Sequence, residues 1–233
     1  MRSSATKKVL SLRIAVVAAV VLAGLAVVTQ TMAAQDFAHD ALTPEVNVKN
    51  IVLHPNPKFI GCLSVPGHAA PTASAHVTRG DLNDTLTIVG KNFKPGLAFD
   101  MFTVQRSSLK PTGTADPAFT NFGMAWYQSD IQTDDQGSFT ATIKTILLDQ
   151  IFGFDPDQSN PAPINTFHLG FWFNNPNDAN VDGCVFDVTH PTPFNGEHNA
   201  GPVAFITVPN SQTKLGPLCT NPNTSTVPAT CNP

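Results

Sequence analysis

The chain has 233 residues, with 13 Lys and Arg against 17 Asp and Glu. Four of the basic residues, Arg2, Lys7, Lys8 and Arg13, lie in the first 34 positions, which hold no acid. Beyond them 9 basic residues face 17 acidic ones, a net charge of −8. An acidic chain without basic clusters is repelled by phosphate backbones, which excludes nucleic acid and anionic membranes as expected partners.

Residues 1–34 read as an export signal. A basic start precedes the apolar run IAVVAAVVLAGLAVV (Ile14 to Val28), and small residues follow before a cut after Ala33 or Ala34. The run falls short of the ~20 residues a spanning helix needs. An uncleaved N-terminal anchor is the alternative. With the signal removed, no membrane segment is expected, and the protein is placed outside the cell or in the cell envelope.

The remaining chain is rich in Pro, Gly, Asn, Asp and Thr. It has only two Glu, Glu45 and Glu197, and its aromatic residues are mostly Phe. Strong helix formers are scarce on this count, and Phe suits buried strand faces. The expected class is all-β, an antiparallel sandwich with an irregular N-terminal arm, a long insertion loop and a disulfide-bearing C-terminal tail.

Residues 35–74 form the expected arm, broken by Pro and rich in Ala and Ser, with one short strand at VNVKNIVL (Val46 to Leu53). The regular part, 75–209, opens on DTLTIVG, which alternates as a half-buried strand. KNFKPG turns the chain. LAFDMFTVQ is apolar on both faces and therefore central, and FGMAWYQSDI follows as a third strand. TDDQG is a turn rich in residues that tolerate positive φ. SFTATIKTI alternates, and TILLDQIFGF has helical spacing. TFHLGFWF puts Phe167, Leu169, Phe171 and Phe173 on one face, with His168 and Trp172 on the other. CVFDV is a brief strand and VAFITV the last one. Residues 210–233 read as a tail without regular structure.

LTIVGKNFKPGLAFDMFTV, followed about 35 residues later by TDDQGSFTATI, resembles bacterial immunoglobulin-like domains of the IPT/TIG type. The matching residues are Gly90, Phe93, Pro95, Gly96, Asp134, Gly137 and Phe139, over about 60 residues. The resemblance implies an immunoglobulin-like sandwich and carries no activity with it. The chain departs from the pattern between FWF and VAFITV, where roughly 30 residues replace a short hairpin; loops of that length are often functional.

Within that excursion Asp178-x-Asn180-x-Asp182-Gly183 matches the first half of a calcium-binding loop. Position 12 is Thr189, which cannot be bidentate, so calcium is only a candidate here and an Asx-turn is the competing reading. No cofactor is otherwise indicated. His190, Glu197 and His198, with His168, form a candidate transition-metal set, although their spacing matches no established motif. Trp172 and His168, with Asn174 and Asn175, form a candidate binding patch for an extracellular or cell-surface protein or glycan, provided that Trp172 faces outward. No nucleophile elbow, His-Glu-x-x-His or glycine-rich phosphate cradle is present. The triplets Asn83-Asp84-Thr85 and Asn223-Thr224-Ser225 are taken as chance, because the signal looks bacterial.

Four cysteines in an exported chain predict two disulfides. Of three pairings, Cys62–Cys184 with Cys219–Cys231 is favoured: the first pins the arm to the body, and the second closes a small loop in a tail with little core. The expected role is non-catalytic, in binding or in structure. The alternative is a metal-dependent enzyme or metal-binding protein using the His/Glu cluster.

Overall fold

A computed structural model describes residues 46–80, 83–145, 168–189, 192–219 and 222–231. The export signal, the segment of TILLDQIFGF from Ile146 onward, and His190 lie outside these residues. Regular structure is almost entirely strand, as the composition predicts. Eight antiparallel strands make one barrel-like sheet: β1 (Val46–Pro55), β2 (Thr72–Arg79), β3 (Asp84–Lys91), β4 (Ala98–Val104), β5 (Ala125–Gln132), β6 (Phe139–Thr145), β7 (His168–Phe173) and β8 (Val203–Ile206). Their order is β5-β4-β7-β8-β1-β2-β3-β6. The two edge strands meet through side chains, the Thr145 hydroxyl donating to Gln128 Oε1. Two four-residue helices, α1 (Ile60–Leu63) and α2 (Asp178–Val181), and a two-stranded ribbon, β9 (Pro222–Asn223) with β10 (Thr230–Cys231), complete the described elements.

The arm expected at 35–74 is structural rather than irregular in its second half. β1 pairs with β2 along most of its length and with β8 at His54 and Pro55, so it joins the two halves of the sheet. β2 alternates in the manner of a half-buried strand, with Ala73, Ala75 and Val77 inward. Ala has low strand propensity, and the small inward residues hid this period. CVFDV, by contrast, is not a strand. The Asn180 amide donates to Phe186 O and accepts from Phe186 N, and so takes the place of a strand partner.

The core is a cluster of phenylalanines. Ile51, Leu53, Ala75, Val77, Leu86 and Ile88 from one half of the sheet face Phe99, Met101, Leu169, Phe171, Phe173 and Phe205 from the other. Phe171 stacks on Phe205 at 5.2 Å and 10°. A second cluster lies on the opposite face of β4, β7 and β8, where Phe102, Val104, Trp172, Val203 and Ile206 are covered by Leu109, Phe122 and Ala200. This second layer explains why β4 and β7 are apolar on both faces.

The residues that carry the IPT/TIG resemblance form one physical unit. A side chain on Gly90 would place its Cβ 2.1 Å from the Phe139 ring, so glycine makes room for that ring. Phe93 then packs on Phe139, Phe99, Phe171 and Phe205. Asp134 accepts from the Gln136 and Ser138 amides, closing the turn that ends at Gly137. Gly137 has φ +69, and a Cβ there would stand 1.9 Å from Phe93 O. Thr133 joins the two turns: its hydroxyl donates to Lys94 O and accepts from the Leu97 amide, both at 2.8 Å.

The cysteine pairing is the favoured one. Cys62–Cys184 ties α1 to the excursion after β7, and Cys219–Cys231 closes the ribbon. Phe186 lies edge-on to Phe59 beside the first bridge.

Candidate functional site

A cleft of about 850 Å³ opens beside the strand ends of β4 and β7. One wall is the connection from Gln105 to Met124. This connection begins as a continuation of the β4–β5 ladder, with Gln105 N bonded to Met124 O and Arg106 N to Phe122 O. It then folds into a small hairpin, with Leu109 bridged to Ala115 and Asp116 N bonded to Ser108 O. Gly123 closes the connection at φ +77, where a Cβ would collide with the Gln105 side chain. The opposite wall is the C-terminal tail. Its turn is built by Asn210, whose side-chain oxygen accepts from the Gln212 and Thr213 amides. The disulfide at Cys231 holds the end of the tail against the cleft.

The cleft is lined by both cations and apolar surface. Arg106, Lys110 and Lys214 line it, with Asp116 as its acidic residue, and Leu109, Phe119 and Leu215 supply apolar wall. Arg106 Nη1 donates to Asn121 Oδ1 at 2.6 Å, and that oxygen is itself held by the Gly123 amide. His168 also lines the cleft, although it is only 2% exposed. Its Nδ1 lies 2.9 Å from Thr207 Oγ1, and Thr207 in turn accepts the Ser107 hydroxyl through its carbonyl. Burial lowers the His168 pKa to about 4, with Thr207 opposing, so the ring is neutral near pH 7.

A second polar cluster sits on the outer face of the same strands. Asp100 on β4 is fully buried and pairs in register with Asp130 on β5 and with Trp172 on β7. Burial, followed by the nearby Asp130 charge, raises the Asp100 pKa to about 7. Asn195 Nδ2 donates to Asp100 Oδ2 at 3.1 Å, tying the 192–202 segment down over the strands. Tyr127 donates to Asp130 at 2.7 Å, and burial with the surrounding acids raises its pKa.

The residues singled out from the sequence are distributed between these clusters. Trp172 is in the interior, packed edge-on to Phe102 and Phe122, and offers no outward face for stacking. The 105–124 connection and the 192–202 segment cover it, so β7 has no solvent side. Asn174 and Asn175 are half-buried and already bonded: Asn174 N donates to Ala98 O on β4, and Asn175 Oδ1 accepts from Asn177 N. Asp178 accepts from the Asn175 amide, Asn180 clamps Phe186, and Asp182 is raised in pKa by burial, with Lys94 opposing. Glu197 and His198 follow Asn195, whose Oδ1 accepts both their amides at 2.9 Å. They lie electrostatically beside Tyr127 and Asp100, respectively. His168 is apart from them. It is opposite Val104, whereas Trp172 is opposite Asp100, four residues or about 13 Å along the strand. Among the described residues no group of three or more His, Cys, Asp or Glu is placed to hold a metal.

Arg106, Lys110, Lys214 and Asp100 were not singled out from the sequence. Arg106 and Lys110 stand about 100 residues before Lys214, a separation that no spacing rule joins. Asp100 did carry a signal: it is a lone acid in the apolar run LAFDMFTVQ, which is itself a mark of a buried, perturbed group. In comparisons with protein-family models, curated proteins and solved structures, nothing matches this chain.

Proposed function

We propose that the protein is an exported immunoglobulin-like module that binds a small molecule in the cleft between the 105–124 connection and the C-terminal tail, without a catalytic step. The observation that carries this reading is the cleft itself. Its ~850 Å³ falls within the roughly 300–1,000 Å³ usual for small-molecule sites, and apolar walls with a few polar groups are the usual lining. The strand order supports the immunoglobulin-like part of the proposal. β2-β3-β6 against β5-β4-β7-β8 corresponds to strands A-B-E against C′-C-F-G of such a domain, with β1 added between the two. The basic-apolar N-terminus and two disulfides support export. Catalysis draws no support from the Asp100–Asp130 pair, because Asp100 is fully buried beneath the 192–202 segment.

The test is a ligand-observed and amide-shift NMR screen of the mature chain against mixed small molecules. Hits that shift Arg106, Phe119, Lys214 and Thr230 together are expected. Hits confined to residues 174–189, or none at all, would overturn the proposal.

A further inference from the structure

We infer that the cleft selects small organic carboxylates with an apolar body; this inference rests on the reading of the cleft as a binding site. Charge is unevenly spread in this chain. Beyond residue 34 it holds nine basic residues against 17 acidic ones, yet three of the nine line one cleft with a single acid. Asp116 is partly engaged, its Oδ1 accepting the Ala118 amide at 3.0 Å. Among the described residues none of the three cations is paired with a carboxylate. Arg106 gives one nitrogen to the neutral Asn121, and Lys214 donates to the Ser211 carbonyl. A chain that carries −8 beyond residue 34 yet gathers unpaired cations in one place has a positive potential there where its surroundings are negative, and a cleft focuses such a field.

The geometry narrows the anion. Arg106 is half-buried and held by Asn121, which is in turn fixed by Gly123, so its guanidinium is presented in one orientation. A guanidinium fixed in this way suits a planar carboxylate, which it can engage through two parallel hydrogen bonds. Lys214 stands at φ +64, on the turn that Asn210 closes, so its backbone is also preset. Leu109, Phe119 and Leu215 give the ligand an apolar bed, with Phe119 itself packed on Phe122 at 4.7 Å. An inorganic anion would leave this surface wet. Phosphate-rich ligands normally meet a cradle of backbone amides from a glycine-rich loop, and the sequence holds no such loop. His168 is neutral at the wall and adds no charge.

Benzoate and hexanoate serve as probes, with benzamide, hexanamide and inorganic phosphate as controls, titrated into the mature chain and followed by amide shifts. Both carboxylates are expected to shift cleft residues. Their amides should bind weaker by roughly tenfold, and added salt should weaken the carboxylates alone. Lys214→Gln, at an exposed position, should weaken benzoate by about threefold or more while leaving the melting temperature unchanged. Arg106→Gln should weaken it further. If amides bind as tightly as acids, the cleft binds ligands but the choice of carboxylates is overturned. Phosphate binding as tightly as benzoate overturns the apolar body. If no probe shifts the cleft while the wider screen also fails, the binding reading falls with it.

Discussion

At the scale of single residues, two buried titratable groups set opposite pH dependences. Asp100 has its pKa raised from 3.8 to about 7, so the folded state holds a proton that the unfolded chain has lost. Its contribution to stability is full below about pH 4 and disappears as pH rises towards 7. His168 has its pKa lowered from 6.5 to about 4, so the folded state refuses a proton that the unfolded chain takes. Its contribution is full above about pH 6.5 and disappears as pH falls towards 4. The two slopes offset each other in the overlap. Relative to the parent protein, Asp100→Asn should gain stability progressively as pH rises from about 4 to 7. His168→Gln should gain progressively as pH falls from about 6.5 to 4. Guanidinium melts across this range, with unchanged m values, would check both. A flat difference curve for either variant would refute the assignment for that residue. Gly137 makes a third residue-scale prediction. With φ +69 and Phe93 O 1.9 Å from its would-be Cβ, Gly137→Ala should cost about 3 kcal/mol or more. Ala at Gly67, also at positive φ but facing open space, should cost less in the same melts.

At the scale of elements, the two disulfides do different work. Cys62–Cys184 spans 122 residues and joins α1 to the excursion, whereas Cys219–Cys231 spans 12 within the ribbon. Chain entropy assigns about 5 kcal/mol to the first and about 3 to the second. Replacing Cys62 and Cys184 by Ala should therefore lower stability more than replacing Cys219 and Cys231. The second pair should instead weaken ligand binding, because Cys231 lines the cleft. Comparing denaturation midpoints and benzoate titrations of the two double variants would reveal this exchange of effects. The excursion itself combines exposed and anchored parts. Val181 and Val185 are more than 80% exposed, yet Phe186 and Cys184 are fastened to Phe59 and Cys62. CVFDV reads in the sequence as a brief strand. The neighbouring Asn180 side chain instead saturates the Phe186 backbone, a competition that hydrophobic pattern cannot reveal.

At the scale of the whole molecule, β1 decides whether the sheet is continuous. It supplies Ile51 and Leu53 to the core and is the strand between β8 and β2. A chain beginning at Lys58 would leave the long β2 edge and the short β8 edge unpaired and a core face open. It should be insoluble, or lack the near-ultraviolet circular dichroism of the chain beginning at Gln35. A truncated protein with the same spectrum would show that β1 is dispensable.

The sequence by itself determined the β class, the positions of β3 to β8 and the central place of β4. These follow from local quantities: period-two alternation, two-sided hydrophobicity and turn residues at fixed offsets. The cysteine pairing it only favoured among three, and the tertiary structure decided it. The Phe93–Gly137 unit was legible too, because its own members, from Gly90 to Phe139, lie within about 50 residues of one another and each glycine answers a nearby steric demand, although Phe93 also reaches Phe171 and Phe205. Tertiary structure alone decided that Trp172 is interior, since the covering came from 105–124 and 192–202, segments distant in the chain. Tertiary structure also brought Arg106 to Lys214 and Asp100 to Asn195. Such meetings depend on strand order and on where connections cross the sheet, and nothing in the local pattern of either partner encodes the position of the other.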